Sequence, residues 1–135
     1  MKTMTKNNGS VLLIVVFAVA MLSVLTIGIL EMHTEEIQLM QNQVYAAQAT
    51  AVAEAGLNDA FAQIRTNPSW TTGFTNKSFP GYGTYTVTVT GTLPNRTITS
   101  TATTSQGFAA RERADVTVGN SSPYEIRIDN LRINE

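Results

Sequence analysis

EMHTEEIQLMQNQVYAAQATAVAEAGLNDAFAQIR, residues 31–65, holds no proline and a single glycine, Gly56. Ala, Gln, Glu, Leu and Met dominate it, and all of them favour helix. Ile37, Met40, Val44, Ala47 and Ala51 recur in alternating steps of three and four, the spacing of one helix face. Leu57, Phe61 and Ile64 continue an apolar stripe after a shift near Gly56. Gln41, Asn42, Gln48, Asn58, Asp59 and Gln63 fall largely elsewhere around the helix. Asn67-Pro68 ends the pattern, because proline's ring crowds a helical conformation in the residue before it.

Upstream, residues 11–30, VLLIVVFAVAMLSVLTIGIL, carry no charge. At 1.5 Å per residue this run reaches about 30 Å, the thickness of a bilayer's hydrocarbon core. Ser23 and Thr26 are tolerable inside such a helix, because a hydroxyl can bond back to the preceding turn. Lys2 and Lys6 precede the run, and Glu31, Glu35 and Glu36 follow it. Cationic flanks favour the cytoplasmic side, so the expected orientation is N-terminus in and C-terminus out. Nothing between the two stretches breaks a helix. One continuous helix from about Ser10 to Arg65 is therefore expected, on the order of 80 Å long. Its first half is apolar all round and its second half is amphipathic. Two other readings exist for the apolar run. Ala18-Val19-Ala20 has the small-x-small form cut in secretory signal peptides, but a cut there leaves MLSVLTIGIL as an exposed apolar start. The other is a plain single-span anchor.

Downstream, residues 66–81 mix Pro, Gly, Asn, Ser and Thr with Trp70, Phe74 and Phe79. This composition predicts a linking loop over 67–82, with the aromatic residues tucked beneath it. The period then changes to two. Tyr85, Val87 and Val89 alternate with Thr84, Thr86, Thr88 and Thr90. Ile98, Ser100 and Ala102 alternate with Thr97, Thr99, Thr101 and Thr103. Phe108, Ala110, Ala114, Val116 and Val118 share a third face. Turn residues at 93–95 and 105–107 separate these runs, as in antiparallel hairpins with one buried face. YEIRI at 124–128 is a fourth candidate, and the break in alternation at Asp129-Asn130 suggests a bulge or an edge. The sheet's narrow apolar face needs a cover, and the amphipathic half of the helix supplies one. The expected fold is α+β, a long N-terminal helix packed on a three- to four-stranded antiparallel meander. Residues 83–135 form the sheet, globular with 32–66.

The 135-residue chain has a formal net charge of -1 and no cysteine. There is no basic field for nucleic acid, and disulfide or cysteine chemistry is excluded. No phosphate loop, metal spacing or catalytic constellation is visible, so no cofactor and no enzymatic activity are expected. The single histidine, His33, follows the apolar run as an interfacial residue. Strand parity puts Glu112 on an apolar face, where either a bulge or a sheet rim lets its carboxylate out, as expected, or it is a buried functional acid. Glu54 is either a solvated helix residue or an inter-subunit contact.

A short basic leader ending in Gly9, an apolar helix beginning at once, an amphipathic continuation and a small antiparallel sheet together resemble the type IV pilin and type II secretion pseudopilin superfamily. Within it, the pattern is most similar to the PilX-type minor pilins, through the AEAGL core at residues 53–57. The resemblance implies a leader at 1–9, a membrane-spanning half at 10–31 and an amphipathic half at 32–66. It implies cleavage by prepilin peptidase between Gly9 and Ser10, with methylation of the new N-terminus. The implied setting is the cytoplasmic membrane, single pass, and afterwards an extracellular or periplasmic filament. The implied partners are other pilins or pseudopilins, the prepilin peptidase, an inner-membrane assembly platform and the bilayer. The chain departs from the major pilins at two positions. They begin the mature chain with Phe and carry Glu fifth, where this chain has Ser10 and Ile14. In the family that glutamate is thought to pair with a neighbouring N-terminal amine, and an unpaired ammonium in an apolar bundle is costly. The expected role is therefore a minor subunit that primes or tips a filament.

Overall fold

The computed structural model describes residues 8–134. Lys2, Lys6 and the rest of the leader before Asn8 lie outside the described residues. Helix α1 runs over Asn8–Thr66, followed by strands β1 (Phe74–Phe79), β2 (Gly83–Thr90), β3 (Asn95–Thr104), β4 (Ala109–Val118) and β5 (Ile126–Ile133). The fold is α+β, with one long N-terminal helix packed on an antiparallel sheet. The chain falls into two compact units, one ending at Gln41 and the other beginning at Asn42.

In the first unit, the side chains from Val11 to Leu30 are exposed on every side of α1. Ser23 Oγ donates to Val19 O at 2.8 Å, and Thr26 Oγ1 to Leu22 O at 2.8 Å. Each hydroxyl is thus satisfied within its own helix, as the sequence predicts for an apolar surrounding. Past the apolar run, His33 Nδ1 lies 3.6 Å from Glu36 Oε2 on the exposed helix surface.

The second unit holds the core. Ala49, Val52, Ala53, Leu57, Ala60 and Ile64 of α1 are buried against Tyr85, Val87, Val89, Ile98, Ala102, Ala114, Val116 and Val118. This helix face is not the stripe that the spacing of large residues picks out. Val44, Ala47 and Ala51 are exposed, and so are Ile37 and Met40 in the first unit. The buried face sets Ala49, Ala53, Gly56 and Ala60 among Val52, Leu57 and Ile64, and its small residues let the backbones approach. A Cβ on Gly56 would overlap Ser100 Oγ, and would come within 2.9 Å of Tyr85 Cδ2 and 3.1 Å of Val87 Cγ2. Leu57 and Ile64, from the stripe after the shift, are buried as expected, and Phe61 is half-buried. Pro68 closes the helix. Asn67 N donates to Gln63 O at 2.8 Å, and Asn67 Oδ1 accepts from Ser69 N at 3.1 Å.

The sheet order is β1-β2-β3-β4-β5, so each strand pairs with its neighbour in the chain. Alternation reads β2, β3 and β4 correctly, with the Thr side chains turned to the outer face. Four Thr–Thr pairs stand directly opposite across β2 and β3: 84 with 103, 86 with 101, 88 with 99, and 90 with 97.

Five strands rather than three or four make the sheet, and the loop expected over 67–82 contains β1. That strand, FTNKSF, shows no alternation because its register slips between Phe74 and Lys77. Only its end residues, Phe74 and Phe79, are half-buried. The aromatic residues of this stretch do not form one cluster. Trp70 stacks near Phe74 at 5.1 Å, and Phe79 pairs with Tyr82 at 5.7 Å. β5 begins two residues after the start of the expected YEIRI strand and runs on to Ile133. The bulge expected near Asp129 is present. Val116 faces Ile128 and Asp115 faces Asn130, which leaves Asp129 as the extra residue.

Candidate functional site

Three groups of residues have chemistry beyond packing. The first is the N-terminal junction. Gly9 and Ser10 lie in the first turn of α1, exposed. Among the described residues, none crowds Gly9, since a Cβ there would meet nothing within 4 Å. Ile14 is 63% exposed.

The second is a polar clamp between α1 and the sheet. Asp59 on α1 accepts from Lys77 Nζ of β1 at 2.5 Å and from the Tyr85 hydroxyl of β2. Lys77 Nζ also sits 4.5 Å from the centroid of the Phe74 ring. The hydrogen bond from Lys77, then that from Tyr85, holds the Asp59 carboxyl below its ordinary value. The sequence signals none of this, because the three residues come from three elements. Asp59→Asn is expected to cost about 1 kcal/mol at pH 7. The folded pKa is depressed, so Asp59's contribution is complete above the unfolded value of 3.8 and fades as pH falls through the folded value. Thermal unfolding of both forms at pH 7 and pH 3 checks this, and the gap between them should close in acid.

The third is a pair of carboxylates. Glu112 is 3% exposed on the helix side of β4. No bulge or rim releases it, because the β3–β4 ladder is continuous through Ser100 opposite Glu112. Ser100 Oγ is itself buried without a hydrogen-bond partner. Burial raises the Glu112 pKa above its ordinary value, and the nearby Glu54 carboxylate raises it further. Glu54 itself is exposed on α1. Glu54 thus lies close enough for its charge to act on Glu112.

Arg96 is a functional-looking residue that sequence reading passes over. Parity places it inward with Ile98 and Ser100, and it is 8% exposed. Its guanidinium donates to Gly91 O at 2.5 Å and Pro68 O at 3.3 Å, tying the β2–β3 turn to the segment after the helix. This is a structural role. Among the described residues, no group of three or more His, Asp or Glu side chains is placed to hold a metal ion.

By length and composition α1 could cross a membrane once. Comparisons with family models, with curated proteins and with solved structures return no match for this chain.

Proposed function

We propose that this chain is a non-catalytic minor pilin or pseudopilin. It is inserted in the cytoplasmic membrane with its N-terminus inside, trimmed after Gly9, and used to prime or tip a type IV pilus or a secretion pseudopilus. One observation carries the reading: a single helix of 59 residues, apolar and exposed through its first turns, whose C-terminal turns form the core of an antiparallel meander. An all-apolar helical surface is soluble only in lipid or in a bundle of similar helices. A subunit that passes from the first setting to the second makes use of both properties. Its action is associative, through helix packing and surface contacts. Ile14 then stands where a repeating subunit would carry a carboxylate, which favours a component used once or a few times in each filament.

The alternative is a membrane-tethered domain that does not assemble. The mature N-terminus separates the two. Mass spectrometry of the full chain, from cells with and without prepilin peptidase, should show methylated Ser10 first only when the enzyme is present. Gly9→Val should leave the leader on. A start at Met1 or Lys2 in both strains supports the tether, and a start at Met21 overturns both readings in favour of secretion.

A further inference from the structure

The helix side of the sheet is wider than the helix. Strands lie about 4.8 Å apart and a helix is about 10 Å across, so five strands are wider than one helix. The contacts of α1 run from Lys77 on β1, through Tyr85, Val87 and Ser100, to the neighbourhood of Glu112 on β4. β5 begins against the core with the half-buried Ile126, and the rest of it is left beyond them. Its Ile128, Leu131 and Ile133 stand opposite Val116, Ala114 and Glu112, so they share the inner face. Yet they are 50%, 49% and 55% exposed, while those three partners are 0–3% exposed. An apolar strip thus lies along the last strand, with the Glu112 carboxylate at the end marked by Ile133 and Glu54 close by. Neither carboxylate has a cationic partner among the described contacts. β1, the opposite edge, is different. There Phe74 packs between Trp70 and Tyr85, and Lys77 closes over Phe74.

We infer that the inner face of β5, with Glu54 and Glu112, is a docking surface for an amphipathic helix of a second, different pilin-like chain, one that carries a Lys or Arg within its apolar stripe. The pilin reading enters only in the class of partner. A helix beside α1 is the occupant that fits the uncovered width, because it would cover β5 and the outer flank of β4 together. The two unpaired carboxylates specify its charge, since a cation there lets Glu112 ionise while buried. A second copy of this chain is a poor occupant. Between Lys6 and Arg65 it has no Lys or Arg at all, while it carries Glu31, Glu35, Glu36, Glu54 and Asp59. Laid alongside in the same direction, it would add acid to acid.

The test uses the full chain in its native host, with a photoreactive phenylalanine analogue at Leu131 or, on the outer face, at Thr88. Cross-linked peptides are then sequenced by mass spectrometry. The expected result is a cross-link from Leu131 and not from Thr88, into a helical segment of another chain with a Lys or Arg within one turn. The Glu54→Gln, Glu112→Gln double variant should lower its yield roughly tenfold, and Lys→Glu or Arg→Glu in that partner should do the same. Attachment to a second copy of this chain, attachment to lipid, equal yields from both positions or no attachment at Leu131 would each overturn the inference. The N-terminus is read on the same sample. Trimming to Ser10 without a Leu131 cross-link removes the docking surface alone. A Leu131 cross-link on an untrimmed chain removes the pilin reading and leaves the surface standing.

Discussion

Replacing Gly56 by valine is expected to destabilise the second unit by about 3 kcal/mol or more, the upper end of overpacking costs. The buried helix backbone lies directly on β2 and β3 at this residue. Ser100 Oγ can rotate away from a new Cβ, but Tyr85 Cδ2 and Val87 Cγ2 belong to side chains that are 3% and 2% exposed. Neither has space to move, because close-packed interiors hold few voids. A branched side chain adds two further methyl groups to the same contact. Gly56→Ala separates packing from backbone entropy. Alanine gains about 1 kcal/mol of helix propensity over glycine, so its net cost should be smaller, about 1–2 kcal/mol. Near-UV circular dichroism of the full chain in detergent micelles, which follows Trp70 and Tyr85 through thermal unfolding, reads both variants. If valine unfolds at the wild-type temperature, the close approach at Gly56 is wrong.

Glu112→Gln is expected to act in the opposite direction, raising stability by about 1–3 kcal/mol at pH 7. The carboxylate is desolvated in the fold, and Glu54 repels its charge, so the folded pKa lies above the ordinary 4.5. The folded state therefore binds the proton more tightly than the unfolded state. The contribution of Glu112 to stability is therefore most favourable below pH 4.5 and declines as pH rises, until the folded pKa is passed. Glutamine does not titrate. The two unfolding temperatures should coincide in acid and diverge toward neutral pH, with the variant higher. A variant gain that persists at pH 3, or a loss at pH 7, would contradict the buried, unpaired carboxylate. A residue that weakens its own fold is a cost that a ligand can offset, and the docking helix inferred above would do so with its cation.

Much of the fold is written locally. The helix extends without a break because nothing in residues 10–66 stops it, and it ends where Pro68 requires. β2, β3 and β4 are legible because one face is Thr and the other is apolar over eight to ten residues. β1 is not, since a register slip in six largely exposed residues erases the period. The helix face is misread for a related reason. Ranking by side-chain size selects Ile37, Met40 and Val44, whereas contact with the sheet falls on Ala49, Val52, Ala53, Gly56, Leu57, Ala60 and Ile64, more than half of them small. Glu112 is legible by parity alone. What parity does not supply is whether the ladder bends there, and it does not. The Asp59 clamp depends on three distant elements, so no local pattern contains it.

The neighbour-to-neighbour strand order also bears on how the domain forms. Every ladder is a hairpin, and the partner of each strand is the one made just before it. Loop-closure entropy is therefore small at each step, and the sheet can grow one strand at a time. The helix that will cover it precedes all five strands in the chain. A polypeptide emerging N-terminus first, from a ribosome or through a membrane, thus presents its template before its sheet. β5 is the last strand to add.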